Sequence, residues 1–267
     1  MNKTLLPVAA ASLIALTTGC SHHESMIEKP DFKANADSVF DIDALEALGR
    51  VSNPQVSPDG KKVLFGIAYE SVEQNKSNNE LYVMNLDRTE PRRITRTADS
   101  EQDAVWIDGG SKIAFIAAHD GKPQMWVMNA DGSNRHVVSN LENGVSGFKV
   151  SPDGKKVVVV STVKYGRTAQ DVYPDLTKAT GRLIDDLMYK HWDEWVTTAP
   201  HPFIADFDGK SISNIIDVLE GEPYESPMKP WGGIEQLAWN TTSDKVAYTC
   251  RKKTGLAYAI STNSDIY

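Results

Sequence analysis

Short apolar runs recur along this chain, and a polar turn introduces each of them. The turn motif Ser-Pro-Asp-Gly-Lys-Lys occurs twice, at residues 57–62 and 151–156, and weaker copies lie at residues 107–112 and 240–245. Proline fixes φ at the start of such a turn, and glycine takes the positive φ that other side chains resist. An apolar residue precedes each copy and an apolar run typical of a strand follows it. The pattern indicates one β unit that is repeated along the chain.

The spacing of the copies gives the size of this unit. The apolar residues in front of the first three copies, Val56, Trp106 and Val150, lie 50 and 44 residues apart, and Trp239 follows after 89. Later strands match as well, at residues 81–85 and 125–129. Four short strands in a repeat of about 40–50 residues are typical of a β-propeller blade. We therefore predict an all-β fold, an incomplete propeller of about three and a half four-stranded blades over residues 39–267. An ordinary sandwich whose hairpins share turn chemistry is the alternative.

Two segments depart from the strand pattern. Residues 40–50 predict a short N-terminal helix, with Asp43 as its cap and an apolar face made of Ile42, Leu45 and Leu48. Residues 165–200 interrupt the third blade. This insert carries a helical pattern of apolar residues and ends in His-Trp-Asp-Glu-Trp at residues 191–195. We predict a helical insert here, its pattern formed by Leu183, Ile184, Leu187 and Met188.

The first twenty residues predict an export signal. A positive Lys3 precedes an apolar run at residues 5–16, which is too short for a spanning helix of ~20 residues. The segment ends in Gly19-Cys20 and resembles a bacterial lipoprotein signal, in which the cysteine is lipidated and becomes the first mature residue. We predict an exported, periplasmic protein that is anchored to a membrane through Cys20, with residues 21–38 as a polar tether. A plain signal cleaved near Ser21 is the alternative.

The net charge and the cysteine content limit the binding partners and the disulfides that we expect for this chain. The 267 residues carry a net charge of −8, and nucleic acid is excluded as a partner because phosphate binding requires a basic surface. There are two cysteines, so a lipidated Cys20 leaves Cys250 without a disulfide partner. No cofactor and no metal site are predicted. The last residues, 265–267, match the opening of the third strand of the first blade at residues 80–82. We therefore expect the sequence to be a fragment of a longer protein.

A family resemblance adds to this picture. The helix followed by residues 50–60 and repeated blades resembles the propeller half of prolyl-oligopeptidase-type serine peptidases. The insert motif at residues 191–195 and the segment 254–267 are similar to the dipeptidyl peptidase 5 and acylaminoacyl-peptidase branch of that family. The resemblance implies that the propeller covers an active site and filters peptide substrates. It also implies a C-terminal α/β-hydrolase domain, whose serine, histidine and aspartate perform acyl transfer.

The nucleophile motif of that hydrolase domain, Gly-x-Ser-x-Gly, does not occur in these 267 residues. We therefore predict no catalytic residue in this chain and no peptidase activity from it alone. The alternative function is a TolB-like periplasmic propeller that binds proteins without catalysis.

Substrate recognition is the role that the chain itself can have. A dipeptidyl peptidase must bind a free α-ammonium group, and the resemblance implies that acidic residues of a propeller insert do so. Asp193 and Glu194, flanked by Trp192 and Trp195, are the predicted substrate-binding residues. The alternative is that the tryptophans anchor the insert while the carboxylates face water.

Overall fold

The computed structural model describes residues 26–33, 40–187 and 189–267. These residues form three four-stranded sheets, one three-stranded sheet and one two-stranded sheet, all with antiparallel pairing. The predicted signal, Cys20, most of the predicted tether and Met188 lie outside the described residues. The prediction of an all-β, partial propeller is confirmed.

The first two blades are regular meanders. Blade one consists of β1 (Arg50–Val56), β2 (Lys62–Ser71), β3 (Lys76–Asn85) and β4 (Arg92–Arg93). Blade two consists of β5 (Gln102–Ile107), β6 (Lys112–His119), β7 (Lys122–Asn129) and β8 (His136–Val137), with a 3₁₀ turn at Asp108–Gly110. In both sheets each strand pairs with its neighbour along the chain.

Blade three is interrupted and blade four has three strands. Blade three consists of β9 (Gly147–Val150), β10 (Lys156–Lys164), β13 (Thr198–Phe207) and β14 (Ile212–Asp217). Between β10 and β13 lies a small hairpin, β11 (Lys190–His191) and β12 (Glu194–Trp195). Blade four follows a 3₁₀ turn at Ile234–Gln236 and consists of β15 (Leu237–Trp239), β16 (Val246–Cys250) and β17 (Asp265–Ile266).

The repeated turn motif builds the same hydrogen bonds in both copies. In residues 57–62 the serine hydroxyl donates to the aspartate carboxylate at 2.6 Å and accepts from the second lysine N–H at 2.9 Å. In residues 151–156 the same bonds measure 2.7 and 2.9 Å. The glycine has φ 72° in both turns, a conformation that glycine adopts without steric cost. These hydrogen bonds lower the pKa of both aspartates.

The core lies between the sheets. Successive strand residues point to opposite faces of a sheet, so one strand can pack against two neighbouring blades. In β10, Val157 and Val159 pack with residues of blade two, whereas Val158 and Val160 pack with residues of blade four. Strand β6 divides its side chains in the same way between blades one and three. This face-to-face stacking of fully buried strands is the packing of a propeller.

The N-terminal helix differs from its prediction in its cap and its surroundings. Helix α1 spans Ile42–Glu46, and Asp41 rather than Asp43 caps it, accepting a hydrogen bond from the Ala44 N–H at 2.9 Å. Asp41 is extended, as a cap residue must be, whereas Asp43 already lies in the helical turn. The predicted apolar face is exposed to solvent, and Ala44 is the buried residue of the helix.

The insert occupies residues 165–197 and is largely not helical. Its one helical turn within the described residues, α2 (Ala169–Val172), is held by a capping box between Thr168 and Asp171. The helix predicted around Leu183, Ile184 and Leu187 is wrong, because these residues form irregular backbone with exposed side chains. An amphipathic helix draws most of its stability from packing its apolar face, and this face finds no partner.

The remaining helix, α3 (Gly255–Ile260), joins β16 to β17. With six residues it is the longest helix of the described segments. Accordingly, none of the helices in residues 26–33, 40–187 and 189–267 could span a bilayer.

Candidate functional site

A cavity of about 920 Å³ lies beside the insert. Insert residues 165–170 and 179–187 form much of its wall, together with the end of blade three and residues 221–223 of the loop that follows it. Small-molecule sites usually enclose roughly 300–1,000 Å³. The cavity therefore has the size of a binding site for a ligand of a few residues.

A buried histidine and a carboxylate of blade three line the cavity. His201 is 2% exposed, and its Nδ1 lies 2.9 Å from an oxygen of Asp217. Its Nε2 lies 3.0 Å from the carbonyl oxygen of Tyr224. Both ring nitrogens are therefore engaged by neighbouring oxygen atoms. His201 is a structural link between β13, β14 and the following loop, with no nitrogen free to act as a base.

The cavity wall carries charges of both signs. Arg167 is paired with Asp185 at 2.8 Å, and Lys164 is paired with Asp171 at 2.5 Å. Hydrogen bonds from Lys164 and Thr168 lower the pKa of Asp171 to about 2, so this carboxylate is charged at neutral pH. Such pairs neutralise part of the wall and hold the insert in shape.

The hairpin β11–β12 carries the four predicted substrate-binding residues. Trp192 lies at its tip with φ 54° and is 79% exposed, in edge-to-face contact with the 80% exposed Trp231 at 5.8 Å. The carboxylates of Asp193 and Glu194 are exposed and form no hydrogen bond or ion pair with any residue that the structure describes. Trp195 lines the cavity, whereas the other three residues lie outside its wall. The structure thus brings one of the four to the cavity.

His191 anchors the hairpin at a site that sequence reasoning missed. Its Nε2 lies 3.2 Å from Glu225, which is buried in the loop after blade three. The hydroxyl of Tyr258 on α3 donates to the same carboxylate, and the N–H of Lys229 donates to it at 3.2 Å. Burial, together with the bond to Glu225, raises the pKa of Tyr258. We call His191, Glu225 and Tyr258 the insert latch, because they join the insert to the elements around blade four.

No local pattern in the sequence points to the latch. Its three members are separated by 34 and 33 residues along the chain. They meet only because the insert folds back over the loop after blade three. A single glutamate in a polar loop carries no sign that it becomes buried.

Comparison with known proteins shows which protein family the chain belongs to. The model of the TolB beta propeller domain family matches residues 42–211, and the chain belongs to this family. Among characterised relatives, Dipeptidyl-peptidase 5 of Porphyromonas gingivalis is 45% identical over all 267 residues. The Dipeptidyl-peptidase 5 of Porphyromonas endodontalis is 36% identical over the same length. The chain spans 38% of the length of each of these two relatives.

Solved structures support the fold. An acylaminoacyl peptidase of Pyrococcus horikoshii matches with a TM-score of 0.55 and 15% identity, over 77% of this chain and 28% of that one. At this identity the match bears on the fold alone. Together with the relatives above, it confirms the predicted resemblance to the propeller part of dipeptidyl-peptidase 5 and acylaminoacyl-peptidase proteins.

Proposed function

We propose that this chain is the propeller of an exported serine exopeptidase of the dipeptidyl-peptidase type, where it admits and recognises peptides. The observation that carries the proposal is the cavity of about 920 Å³ walled by the insert of blade three. Whole-chain identity of 45% to a Dipeptidyl-peptidase 5 supports it. The periplasmic location and the lipid anchor on Cys20 are part of the same proposal.

Recognition begins, in this proposal, at the hairpin tip. Asp193 and Glu194 present two exposed carboxylates beside Trp195 of the cavity wall. An entering peptide with a free amino terminus carries a positive charge that these carboxylates attract. Trp192 and Trp195 supply apolar surface on either side. The carboxylates of the hairpin would thus select peptides before they reach the catalytic residues.

Catalysis is assigned to residues outside this sequence. A serine activated by a histidine, which an aspartate orients, attacks the peptide carbonyl, and backbone N–H groups stabilise the oxyanion. His201 cannot supply the base, because both of its nitrogens are bound. The propeller's part is to hold the peptide and to limit which peptides reach the serine.

A comparison of two polypeptides tests this proposal. The full-length natural protein that contains this sequence should release dipeptides from free-amine peptides and lose that activity with a fluorophosphonate reagent. Residues 21–267 alone should release none. Cleavage by the purified 267-residue chain, or a full-length protein indifferent to the serine reagent, would contradict the proposal.

Replacing the hairpin carboxylates tests their role in recognition. In the full-length protein we expect the double variant Asp193→Asn, Glu194→Gln to raise KM for free-amine peptides by about tenfold, with kcat little changed, because a charge-assisted bond is lost. N-acetylated peptides should show no change. Glu220→Gln is the matched control, since Glu220 is exposed and lies outside the cavity wall. An unchanged KM would remove both carboxylates from the site.

The alternative, a TolB-like propeller that binds proteins without catalysis, stays a prediction. The family model that matches the chain is itself named for TolB, so the fold suits either function. A full-length protein that contains no Gly-x-Ser-x-Gly motif and hydrolyses no peptide would favour this alternative.

A further inference from the structure

The wall of the cavity beside the insert includes one arginine that is not paired with any carboxylate of the described residues. Three cationic side chains line it, and two of them are paired: Lys164 with Asp171 and Arg167 with Asp185. The side chain of the third, Arg182, makes no hydrogen bond or ion pair with any residue in the described part of the chain. An unpaired guanidinium facing a cavity is a group that a ligand can bind.

Arg182 is held in place by contacts that leave its charge free. Its backbone bridges to Thr168, and its Cζ lies 4.4 Å from the centre of the Trp195 ring. The Nζ of Lys190, which lies outside the cavity wall, is 4.7 Å from the centre of the same ring. Such cation–π contacts attract the guanidinium to the ring. A guanidinium positioned in this way has less freedom to lose when it binds a partner.

The N–H donors of the Arg182 guanidinium are suited to bind a carboxylate. The ring contact leaves the guanidinium N–H donors, which lie in the plane of the group, without an acceptor among the described residues. Two of these donors can bind both oxygens of a carboxylate in parallel.

The remaining charges of the wall complement a peptide. Asp186 and Glu222 also line the cavity, and neither is paired with a cation among the described residues. Of the other two wall carboxylates, Asp185 is paired with Arg167 and Asp217 is held by His201. The wall therefore offers one guanidinium and two carboxylates that have no ion-pair partner among the described residues, although Asp186 accepts a hydrogen bond from the Leu187 N–H at 2.7 Å. This combination suits a ligand that carries both charge signs.

We propose that Arg182, positioned by Trp195, is a carboxylate-binding subsite of this cavity. The inference rests on the proposed function in taking the ligand to be a peptide, and it specifies the substrate class: peptides that place a carboxylate in the cavity. That carboxylate comes either from an acidic side chain or from the C-terminus of a short peptide.

Four peptide probes test the subsite in the full-length natural protein. They are tetra-alanine, its C-terminal amide, and two tetrapeptide amides with glutamate or glutamine at the third position. The second residue of each has the D configuration, so that the probes are not turned over. Binding is measured by calorimetry, which does not depend on catalysis.

We expect at least one carboxylate probe to bind about 10- to 100-fold more tightly than its uncharged match, the gain typical of a charge-assisted bidentate bond. Arg182→Gln should abolish this preference, and Arg182→Lys should retain part of it. Lys178→Gln is the matched control, because Lys178 belongs to the same insert but lies outside the cavity wall. The unfolding midpoint of each variant is compared with that of the parent protein, and Arg182→Lys replaces Arg182→Gln if the latter does not fold.

The outcomes separate the subsite from the proposed function. A preference for tetra-alanine alone places the C-terminus at Arg182, and a preference for the glutamate probe alone places a side chain there. If charged and uncharged probes bind equally well, or if the preference persists in Arg182→Gln, the subsite proposal is wrong. The proposal that the cavity binds peptides is not affected by either result. Failure of every probe to bind overturns both.

Discussion

Glu101 is fully buried and directly precedes β5, the first strand of blade two. One of its carboxylate oxygens is 2.7 Å from Arg135 and accepts from the Thr97 hydroxyl at 2.8 Å. The other oxygen is buried and has no hydrogen-bond partner among the described residues. Arg135 also lies over the rings of Phe115 and Trp126, at 5.2 and 4.7 Å. Burial outweighs the attraction of Arg135 and raises the pKa of Glu101 to about 7.

This raised pKa makes folding stability depend on pH. The folded protein keeps a proton on Glu101 between the ordinary value of 4.5 and about 7, where the unfolded chain has lost it. The stabilisation is therefore complete below pH 4.5 and is lost as the pH rises through 7. We expect Glu101→Gln to flatten the decline in unfolding free energy between pH 5 and pH 8, measured by urea titration. Glu220→Gln serves as control, and equal slopes in parent and Glu101→Gln proteins would refute the assignment.

At the scale of elements, the insert depends on a few polar contacts. Its hairpin strands have two residues each, too few to hold a fixed position by strand pairing. The insert latch holds the hairpin in position, because His191 and Tyr258 both bind the buried Glu225. The blade strands β6 and β10, in contrast, pair along eight and nine positions and have apolar side chains packed on both faces.

Removing one hydroxyl of the insert latch should loosen the insert while the blades stay folded. A hydrogen bond to a charged group contributes about 1.5–3 kcal/mol, so Tyr258→Phe should speed native-state proteolysis within residues 165–197 by about ten- to a hundredfold. Mass spectrometry of the fragments locates the cuts. Tyr248→Phe is the control, since that tyrosine stacks on Tyr267 and its hydroxyl bonds to no described residue. Equal cleavage rates in the two variants would show that the latch does not hold the insert.

At the scale of the whole molecule, the blades were predictable and the cavity was not. The turns at residues 57–62 and 151–156 repeat in sequence, so their shared geometry and the blade period could be inferred. The insert has no such repeat, and its apolar residues suggested a helix that the structure does not contain. The predicted substrate-binding residues are the four at positions 192–195, and of these Trp195 lines the cavity. Arg182, Glu225 and Tyr258 act through tertiary neighbours, which no local pattern records.

The way the insert joins blade three has an evolutionary consequence. Strands β10 and β13 pair along nine positions, and their last pair, Lys164 and Thr198, brings the two ends of the insert side by side. A segment that leaves and re-enters a sheet at a single point can lengthen, shorten or be exchanged without disturbing the sheet beneath it. Substitutions and length changes in the insert can therefore alter the shape and the charge of the cavity wall in the course of evolution, while the sheet of blade three stays the same.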